Sequence, residues 1–365
     1  MRLDEMSVFH VAMPLLEPWK TSFGEMRSVD TVLVRLSCDG ETGWGEAAPY
    51  AAPQFCPEWA GGCFQLLARH IRPLLVGHDV ASAEDLQARL RPFKGNHFAK
   101  AAVDLAWWDL STRLAGLPLW RAIGGETPEI AVGADIPVQP DRGRLLALVA
   151  AALEAGFPRV KLKFRPDSGV GMVEAVRAAF PDAVVHVDCN AGFTLDDLPL
   201  FQALDGLGLA MIEQPLASDD LVDHARLQAA LQSPICLDES ITSLDRARKA
   251  IDIDAGRVIN IKHGRVGGLT NAVAIATHCR SRGIPFWIGG MLESAVGQGP
   301  SMALATLPGV GYAADIFPDG RLYPRELSAP EIRLTSPGRM TVPDGPGSGF
   351  RPVPDLLDEM VVERA

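Results

Sequence analysis

The stretch that decides the fold is "PRVKLKF", residues 158–164, in which apolar and basic side chains alternate. Successive side chains of a β-strand point to opposite faces, so Lys161 and Lys163 would share one face, opposite the apolar residues beside them. A solvent-exposed face would make this pattern ordinary. If the lysine face lines the inside of a barrel, both charges need partners, because burial of an unpaired charge is costly.

After about residue 130 the chain repeats strands of this kind. We count eight strand candidates, near "IAVGADIPV", "RVKLKF", "AVVHVDCN", "LAMIEQP", "PICLDES", "RVINIKHG", "IPFWIGG" and "YAADIF". Between them, amphipathic segments predict helices at 141–156, 169–180, 218–232 and 267–282. Eight strands separated by helices favour a parallel β/α barrel over an open sheet.

The two ends of the chain lack this barrel period. "DTVLVRLSCDGETGWGEAA" predicts a hairpin with its turn between Asp39 and Gly43, and residues 98–115 have helical apolar spacing. We therefore predict an α/β protein with a parallel (β/α)7β TIM-like barrel and an α+β N-terminal capping domain that the C-terminal segment completes. The predicted boundaries are 1–128 for the capping domain, 129–320 for the barrel and 321–365 for the C-terminal segment.

Composition narrows the partners and the location. The chain of 365 residues has 45 acidic against 34 basic residues and a net charge of -11 at pH 7, without a Lys/Arg block that would follow a phosphate backbone. No apolar run is long enough to span a bilayer, and the N-terminus lacks the apolar core of a signal peptide. We expect a cytoplasmic protein with no nucleic-acid or membrane partner and with its six cysteines as free thiols.

Charged residues recur at the predicted strand ends at a nearly constant interval. The separations are 25, 25, 25 and 24 residues along the series Lys163, Asp188, Glu213, Asp238 and Lys262. One strand-helix unit has about this length, so each residue would lie at the C-terminal end of a successive strand. Active sites of β/α barrels lie at that end.

The three carboxylates of the series, Asp188, Glu213 and Asp238, predict a metal site. A single carboxylate at a strand end is more often a helix cap or a salt-bridge partner. Three converging carboxylates repel each other, and a hard divalent cation removes that repulsion. An all-oxygen set without histidine favours Mg²⁺ or Mn²⁺ over Zn²⁺.

The lysines Lys163 and Lys262 would flank this metal site. One can remove a proton from a substrate carbon, and the other can act on the opposite face. A lysine base must be neutral, so its pKa must fall from about 10.4 to roughly 7–8, and Lys161 is the neighbouring cation that would favour this fall. The metal would neutralise the enolate that forms when a proton leaves the carbon next to a carboxylate. We therefore expect a small-molecule carboxylate substrate.

The stretches "KLK", "VDCN", "IEQP", "LDES" and "NIKHGRVGG" together resemble the enolase superfamily and, within it, the muconate-lactonising subgroup. "PWKTSFG", "GWGEAAP", "GGMLESAVG" and "PVPDLLDE" extend the resemblance over nearly the whole chain, and it is greatest to the family of o-succinylbenzoate synthases and N-acylamino acid (N-succinylamino acid) racemases. The resemblance implies that the acid/base pair is Lys163 and Lys262, with Lys161 as the tuning cation. It also implies a homo-oligomer.

The resemblance assigns the remaining residues of the metal site as well. The Mg²⁺ ligands would be Asp188, Glu213 and Asp238. Three further side chains would orient these groups, namely Asn190, Gln214 and Glu239.

Substrate selection would lie in the N-terminal cap and at the ends of the last two strands. Residues 17–26, "EPWKTSFGEM", would form a mobile capping loop with Gly24 as a flexible point. An apolar wall for the substrate is expected from Trp19, Phe23 and Met291. Gly290 would let the substrate approach the backbone, although a structural turn explains "GG" in "WIGGMLES" equally well.

The predicted eighth strand ends in "ADIFPD", which bears on the substrate. Dipeptide epimerases of this subgroup carry Asp-x-Asp here to hold the substrate ammonium group, whereas this chain has Asp315 followed by Phe317. Muconate cycloisomerases carry an acidic residue, an apolar residue and Phe, which is closer to "DIF". The synthase and racemase pattern has small polar residues here and often proline at the position of His263, so this chain departs from it twice.

The sequence thus predicts a Mg²⁺-dependent enzyme that removes a proton α to a carboxylate. The reaction would be dehydration to o-succinylbenzoate, racemisation of N-acylamino acids, or both. The alternatives are a muconate-type cycloisomerase or another epimerase of amino-acid derivatives. Less favoured are a metal-free phosphate-binding barrel with "GGMLES" as its phosphate loop and a non-catalytic barrel, because both lysines and all three carboxylates are present.

Overall fold

The computed structural model describes residues 1–21 and 24–365. Phe23, predicted to contact the substrate, lies outside the described residues. Two main sheets organise the chain, a four-stranded sheet built from its two ends and a seven-stranded parallel sheet between them. Each sheet has its own hydrophobic core. None of the helices in the described ranges is long and apolar enough to cross a membrane.

The four-stranded sheet forms the cap and has the order β15-β1-β2-β3, with antiparallel pairs throughout. Its strands are β1 (Glu5–Thr21), β2 (Gly24–Cys38), β3 (Glu41–Ala47) and β15 (Val361–Arg364). The predicted hairpin is present as β2 and β3. Its turn residues Asp39 and Gly40 have φ of 53° and 80°, the two positive values that a type I′ turn requires.

A long helix packs on this sheet at very close range. The cap helices are α1 (Ala60–Leu66), α2 (Arg72–Leu75), α3 (Ala83–Leu90), α4 (His97–Leu114) and α5 (Leu119–Ala122), with a π-helical turn at Leu67–Ile71. A Cβ atom on Gly43 would overlap the backbone of Leu110, and one on Gly45 would overlap that of Ala102. Glycine at alternate positions of β3 therefore lets α4 approach the strand backbone.

The residues predicted as a mobile capping loop are mostly part of this sheet. Trp19 of β1 pairs with Met26 of β2, and Thr21 pairs with Gly24. The prediction of a loop is therefore wrong for the described residues, because the strand ladder resumes here after an irregularity between Pro14 and Trp19. Residues 19–21 and 24–26 belong to the end of a β-ribbon that reaches the barrel.

The parallel sheet has the order β5 to β11 and forms the wall of the barrel. Its strands are β5 (Ala134–Ile136), β6 (Val160–Lys163), β7 (Val185–Asp188), β8 (Ile212–Glu213), β9 (Ile235–Leu237), β10 (Val258–Ile261) and β11 (Phe286–Ile288). The helices of this part are α6 (Arg142–Glu154), α7 (Val170–Ala179), α8 (Leu198–Asp205), α9 (Leu221–Ala229), α10 (Leu244–Asp252), α11 (His263–Val266), α12 (Leu269–Arg282) and α13 (Ala295–Ala305), with a 3-10 turn at Leu195–Asp197. The predicted α/β barrel fold is confirmed.

The predicted eighth strand, "YAADIF", is not a regular strand. Asp315 N–H donates to the carbonyl of Ile288 on β11 at 3.0 Å, and Ala314 N–H donates to that of Ala131 at 2.9 Å. Gly133 N–H returns a bond to Ala314. This segment bridges the first and last strands and closes the barrel with too few ladder bonds to form a strand of its own.

The C-terminal segment joins both sheets. Its elements are β12 (Ser328–Ala329), β13 (Arg339–Thr341), β14 (Arg351–Pro352), α14 (Pro354–Met360) and β15. β13 pairs with β4 (Glu129–Ala131) at the entry to the barrel, β12 pairs with β14, and β15 is the edge strand of the cap sheet. The segment therefore completes the cap. The boundaries at 128/129 and 320/321 stay predictions.

Candidate active site

The five residues of the 25-residue series lie at one edge of the parallel sheet. Lys163, Asp188 and Glu213 end β6, β7 and β8, and the strand register sets Lys163 beside Asp188 and Asp188 beside Glu213. Asp238 and Lys262 follow directly on the last residues of β9 and β10. The structure thus brings these side chains together at the carboxyl ends of five consecutive strands.

Lys161 lies one layer deeper in the barrel and is almost fully buried. Its ammonium group is 3.0 Å from carboxylate oxygens of Asp188 and of Glu213 and 3.2 Å from Asp315. Burial alone would lower the pKa of Lys161, but these three carboxylates raise it well above its usual value. Lys161 is therefore a fixed cation in the interior of the barrel.

The predicted acid/base pair occupies two sides of the site. Lys163 Nζ donates to Asp188 Oδ2 at 2.6 Å and to Asn190 Oδ1 at 3.2 Å. On the other side, Lys262 Nζ donates to Asp238 Oδ2 at 2.9 Å and lies 5.4 Å from the ring centroid of Phe55. The two ammonium groups therefore contact different carboxylates, on strands two positions apart.

The side chains predicted to orient the site make the contacts such a role requires. Asn190 donates to Asp188 and to Glu239, each at 3.2 Å. The Gln214 amide oxygen accepts the backbone N–H groups of Asp238 and Ser240 at 2.9 and 3.1 Å, which fixes the loop after β9. Asn190 and Gln214 have left-handed φ values of 43° and 37°. Such backbone strain in non-glycine residues occurs often at functional sites.

Sequence reasoning missed Arg265, which lies on α11 three residues after Lys262. Its guanidinium pairs with Asp238 Oδ1, and its Nε–H donates to the carbonyl of Ile241 at 2.8 Å. Burial lowers the pKa of Arg265 to about 9. Asp238 is thus held between two cations, Arg265 and Lys262.

A layer of polar residues beneath the site was also missed. His186 Nε2 and Asn260 Nδ2 approach the two oxygens of Glu213 at 3.2 and 2.8 Å. Each lies two residues before a member of the series, as Lys161 does before Lys163. Since alternate strand residues share a face, this period of two was the signal that would have found them.

The donor chemistry of the three predicted metal ligands fits a hard divalent cation, although their side chains are paired with protein cations here. Among the described residues, no three His, Cys, Asp or Glu side chains are arranged as a metal-binding group. Asp188, Glu213 and Asp238 are nevertheless fully buried oxygen donors on adjacent strands. Next to them, Glu239 Oε2 is buried and has no hydrogen-bond partner within residues 1–21 and 24–365. Burial, and then the charge of Asp188, raises the pKa of Glu239 to about 7. An added cation would relieve both features.

A small cavity of about 30 Å³ lies over the strand ends. Its lining residues include Trp19, Gly290 and Met291, and their predicted contact with the substrate stays a prediction. The lining residues that sequence reasoning missed are Tyr50, Phe55, Asp135, Leu292 and Phe317. Tyr50 and Phe55 come from the loop between β3 and α1, for which the sequence offers no periodic signal.

The structure places Asp315 elsewhere, and the prediction that it contacts the substrate is corrected. Asp315 is almost fully buried, does not line the cavity, and pairs with Arg159 and Lys161. A Cβ on Gly290 would overlap the carbonyl of Asp315, so this glycine also lets the closing segment approach β11. Asp315 therefore contacts Lys161 rather than the small cavity.

Comparison with known proteins identifies the family. Residues 4–124 match the family described as mandelate racemase / muconate lactonizing enzyme, N-terminal domain, and residues 144–356 match the family described as enolase C-terminal domain-like. The chain therefore belongs to the enolase superfamily, in the group of mandelate racemase and muconate lactonizing enzyme, as the sequence resemblance implied.

Its relatives include o-succinylbenzoate synthases and N-succinylamino acid racemases. An o-succinylbenzoate synthase from Geobacillus kaustophilus is 42% identical over 356 residues, which cover 97% of this chain and 93% of the relative. An N-succinylamino acid racemase from Thermus thermophilus is 39% identical over 349 residues, covering 96% and 94%. The crystal structure of an enolase superfamily member from Listeria innocua aligns with a TM-score of 0.96 at 35% identity, covering 100% of this chain and 98% of that one. The chain is an enzyme, as predicted.

Proposed function

We propose that this enzyme removes the α-proton of a carboxylate substrate that carries a succinyl group. The resulting enolate would lead to o-succinylbenzoate by dehydration or to the opposite enantiomer of an N-succinylamino acid. The observation that carries this proposal is the position of Lys163 and Lys262 on separate sides of a buried carboxylate group, 2.6 Å from Asp188 and 2.9 Å from Asp238. The relatives named for the two reactions support it, because both reactions begin with the same enolate-forming step.

The two lysines have distinct tasks in each reaction. In racemisation, the neutral lysine on one face takes the α-proton and the protonated lysine on the other face returns one to the opposite side. In dehydration, Lys163 takes the α-proton and then donates it to the departing hydroxyl group, which leaves as water. Lys262 remains a cation beside the enolate. Lys161 keeps a positive charge one layer below throughout.

We propose Mg²⁺ as the cofactor, with Mn²⁺ as a substitute. The residues that would hold it are Asp188, Glu213 and Asp238, and their oxygen donors suit such an ion. When bound, the ion supplies positive charge that stabilises the enolate. The protein contributes the orientation of these carboxylates, through Asn190 at Asp188 and Gln214 at the Asp238 loop.

Proton exchange in D₂O tests the proposal directly. We expect proton NMR to show loss of the α-proton signal of N-succinylamino acids in the presence of enzyme and Mg²⁺, with inversion seen by polarimetry. An ultraviolet assay separately follows formation of o-succinylbenzoate. No response in either assay, over a panel that also includes N-acetylamino acids and dipeptides, would leave the family in place and refute the proposed substrates. A cycloisomerase would share this site, and "DIF" at residues 315–317 is the feature of this chain that is closer to that class.

A homo-oligomer and a location in the cytoplasm also stay predictions. Light scattering on the purified protein measures the first. A monomer at micromolar concentration would contradict it.

A further inference from the structure

A second, larger cavity adjoins the active site. Its volume is about 650 Å³, and its walls are the end of β1, the residues after β5, helix α6 and the segment 316–322. It shares three lining residues with the small cavity over the strand ends, namely Trp19, Asp135 and Phe317. The two cavities are therefore direct neighbours.

The small cavity alone cannot hold a substrate, because about 30 Å³ has room for roughly one water molecule. The Trp19 and Phe317 rings meet edge to face at the boundary, with centroids 6.3 Å apart. Reorientation of either ring would open a path between the two spaces. A substrate whose reacting carbon lies between the lysines would then extend its far end into the larger cavity.

One wall of the larger cavity presents the guanidinium group of Arg321. Within the described part of the chain, no carboxylate lies at ion-pair distance from Arg321, whereas the other arginine of this cavity, Arg144, lies 3.6 Å from Glu17. Leaving an arginine uncompensated beside the reaction site is consistent with a role in binding an anion, because guanidinium binds carboxylate through a planar pair of N–H donors.

Arg321 is also held in place before any ligand binds. Its Nη2 donates to the carbonyl of Asp135 at 3.1 Å, and its Cζ lies 5.7 Å from the ring centroid of Trp19. The N–H group of Leu16 on β1 donates to the carbonyl of Leu322 at 2.8 Å, which holds the residues next to Arg321 against β1. Fixing a side chain in advance lowers the entropy that binding must overcome.

We propose that Arg321 is a specificity-determining residue that binds the carboxylate at the far end of the succinyl group. This inference rests on the proposed function, which already requires a substrate with two carboxylates. One carboxylate would lie at the metal and lysine site, and the second would lie in the larger cavity against Arg321. The apolar lining residues Leu15, Leu148 and Phe157 would contact the carbon chain or the amino-acid side chain.

The test compares three acyl groups on one amino acid, such as methionine. N-succinyl carries the distal carboxylate, N-succinamoyl replaces it with an amide of the same shape, and N-butanoyl replaces it with a methyl group. The enzyme variants are Arg321→Met, Arg321→Lys and, as the matched control, Arg325→Met. Arg325 lies four residues after Arg321, is exposed and pairs with Glu359 outside the cavity. The measured quantity is kcat/KM for α-proton exchange in D₂O.

We expect the wild-type enzyme and Arg325→Met to prefer N-succinyl over N-succinamoyl substrate by about 10- to 100-fold, the range for a charged hydrogen-bonded pair. In Arg321→Met this preference should vanish while exchange of the N-butanoyl substrate is kept, and Arg321→Lys should retain part of it. Equal loss on all three substrates would overturn the inference in favour of a structural role. So would an unchanged preference in Arg321→Met. If the wild-type enzyme exchanges all three substrates equally, Arg321 has no such role but the proposed function stands, whereas no exchange of any substrate refutes both.

Discussion

Two groups of buried carboxylates in this protein have opposite surroundings. The strand-end group, Asp188, Glu213 and Asp315, surrounds Lys161 in the barrel. The helix-start group lies where the cap meets the first turn of α13 and consists of Glu46, Glu293 and Glu326. Members of both groups are largely removed from solvent, so burial alone would raise the pKa of each carboxyl.

The strand-end carboxylates face cations. Burial raises their pKa, but Lys161 acts against it in all three, aided by Lys163 at Asp188 and by Arg159 at Asp315. The outcome is a pKa below the usual range for each of the three. They are therefore ionised at neutral pH.

The helix-start carboxylates face neutral donors. Glu46 accepts the hydroxyl groups of Thr31 and Ser294 at 2.8 and 2.6 Å, and Glu326 accepts the N–H of Ala295 at 3.0 Å. His263 lies 3.9 Å from Glu293, but burial lowers the pKa of this imidazole to about 4. Burial therefore dominates and raises the pKa of all three carboxyls to about 7.

The chemistry of the neighbouring groups, and not the degree of burial, therefore decides what a buried carboxylate can do. A carboxylate among cations keeps its charge and can serve a metal or a proton-transfer site. A carboxylate among N–H and hydroxyl donors serves as an anchor, and Glu46 anchors cap strand β3 to the barrel at Ser294 and Gly297. We therefore predict different effects for changes in the two carboxylate groups.

Metal removal should produce the largest effect and should act through the proposed ligands, two of which, Asp188 and Glu213, belong to the strand-end group, and not through the helix-start group. A metal ion that stabilises an enolate contributes several kcal/mol, so EDTA should reduce α-proton exchange more than about 10³-fold, and Mg²⁺ or Mn²⁺ should restore it. Asp188→Asn should abolish this restoration, while Glu326→Gln should keep it. Full activity of the EDTA-treated protein would disprove the metal assignment.

Removal of either lysine should have the next largest effect. Positioned general acid/base groups contribute about 10²- to 10⁴-fold, so Lys163→Ala and Lys262→Ala should each reduce α-proton exchange by that factor for the enantiomer whose α-hydrogen faces the replaced lysine. The control is Lys249→Ala, which removes an exposed lysine paired with Asp245 on α10. Undiminished exchange in both active-site variants would rule out the two-lysine mechanism.

Most of the strand-end site was predictable because a barrel repeats at a fixed interval. The 25-residue series placed Lys163, Asp188 and Glu213 at adjacent strand ends, where the register sets them side by side. Strand alternation likewise predicted that Lys161 shares the face of Lys163. Both arguments need only the geometry of consecutive elements, which the sequence encodes locally.

The helix-start group and the roof of the site were not predictable in this way. Glu46 bonds Ser294 across 248 positions of the chain, and Phe55 reaches Lys262 from an irregular loop. Asp315 was expected to face the substrate, but the closing segment turns it toward Arg159 and Lys161. Such contacts depend on how separate units dock, and no period in the sequence records that.

Replacing Asp315 by asparagine should lower the free energy of unfolding. The pKa of Asp315 is lowered in the folded state, so its charge stabilises the fold above the unfolded-state pKa, and this contribution is lost as pH falls through the folded-state value. At pH 7 Asp315→Asn should therefore lower the free energy of unfolding by about 3 kcal/mol. The loss is no larger because Arg159 and Lys161 keep other carboxylate partners. Urea unfolding measures this. The exposed Asp182→Asn serves as control, and equal stability of the two variants would contradict the prediction.

Glu46→Gln should give the smallest effect and the opposite dependence on pH. The pKa of Glu46 is raised from 4.5 to about 7 by burial, so between these values the folded state binds a proton that the unfolded state has released. Stability must then fall as pH rises through this window, and Glu46 should contribute about 2 kcal/mol of that fall. Urea unfolding from pH 5 to pH 8 should therefore show that the free energy of unfolding of the wild type falls with pH. In Glu46→Gln this slope should be smaller by an amount equivalent to up to one bound proton, and in the exposed control Glu363→Gln it should be unchanged. A slope in Glu46→Gln as steep as that of the wild type would mean that Glu46 stays ionised, and the contrast between the two carboxylate groups would then not extend to this residue.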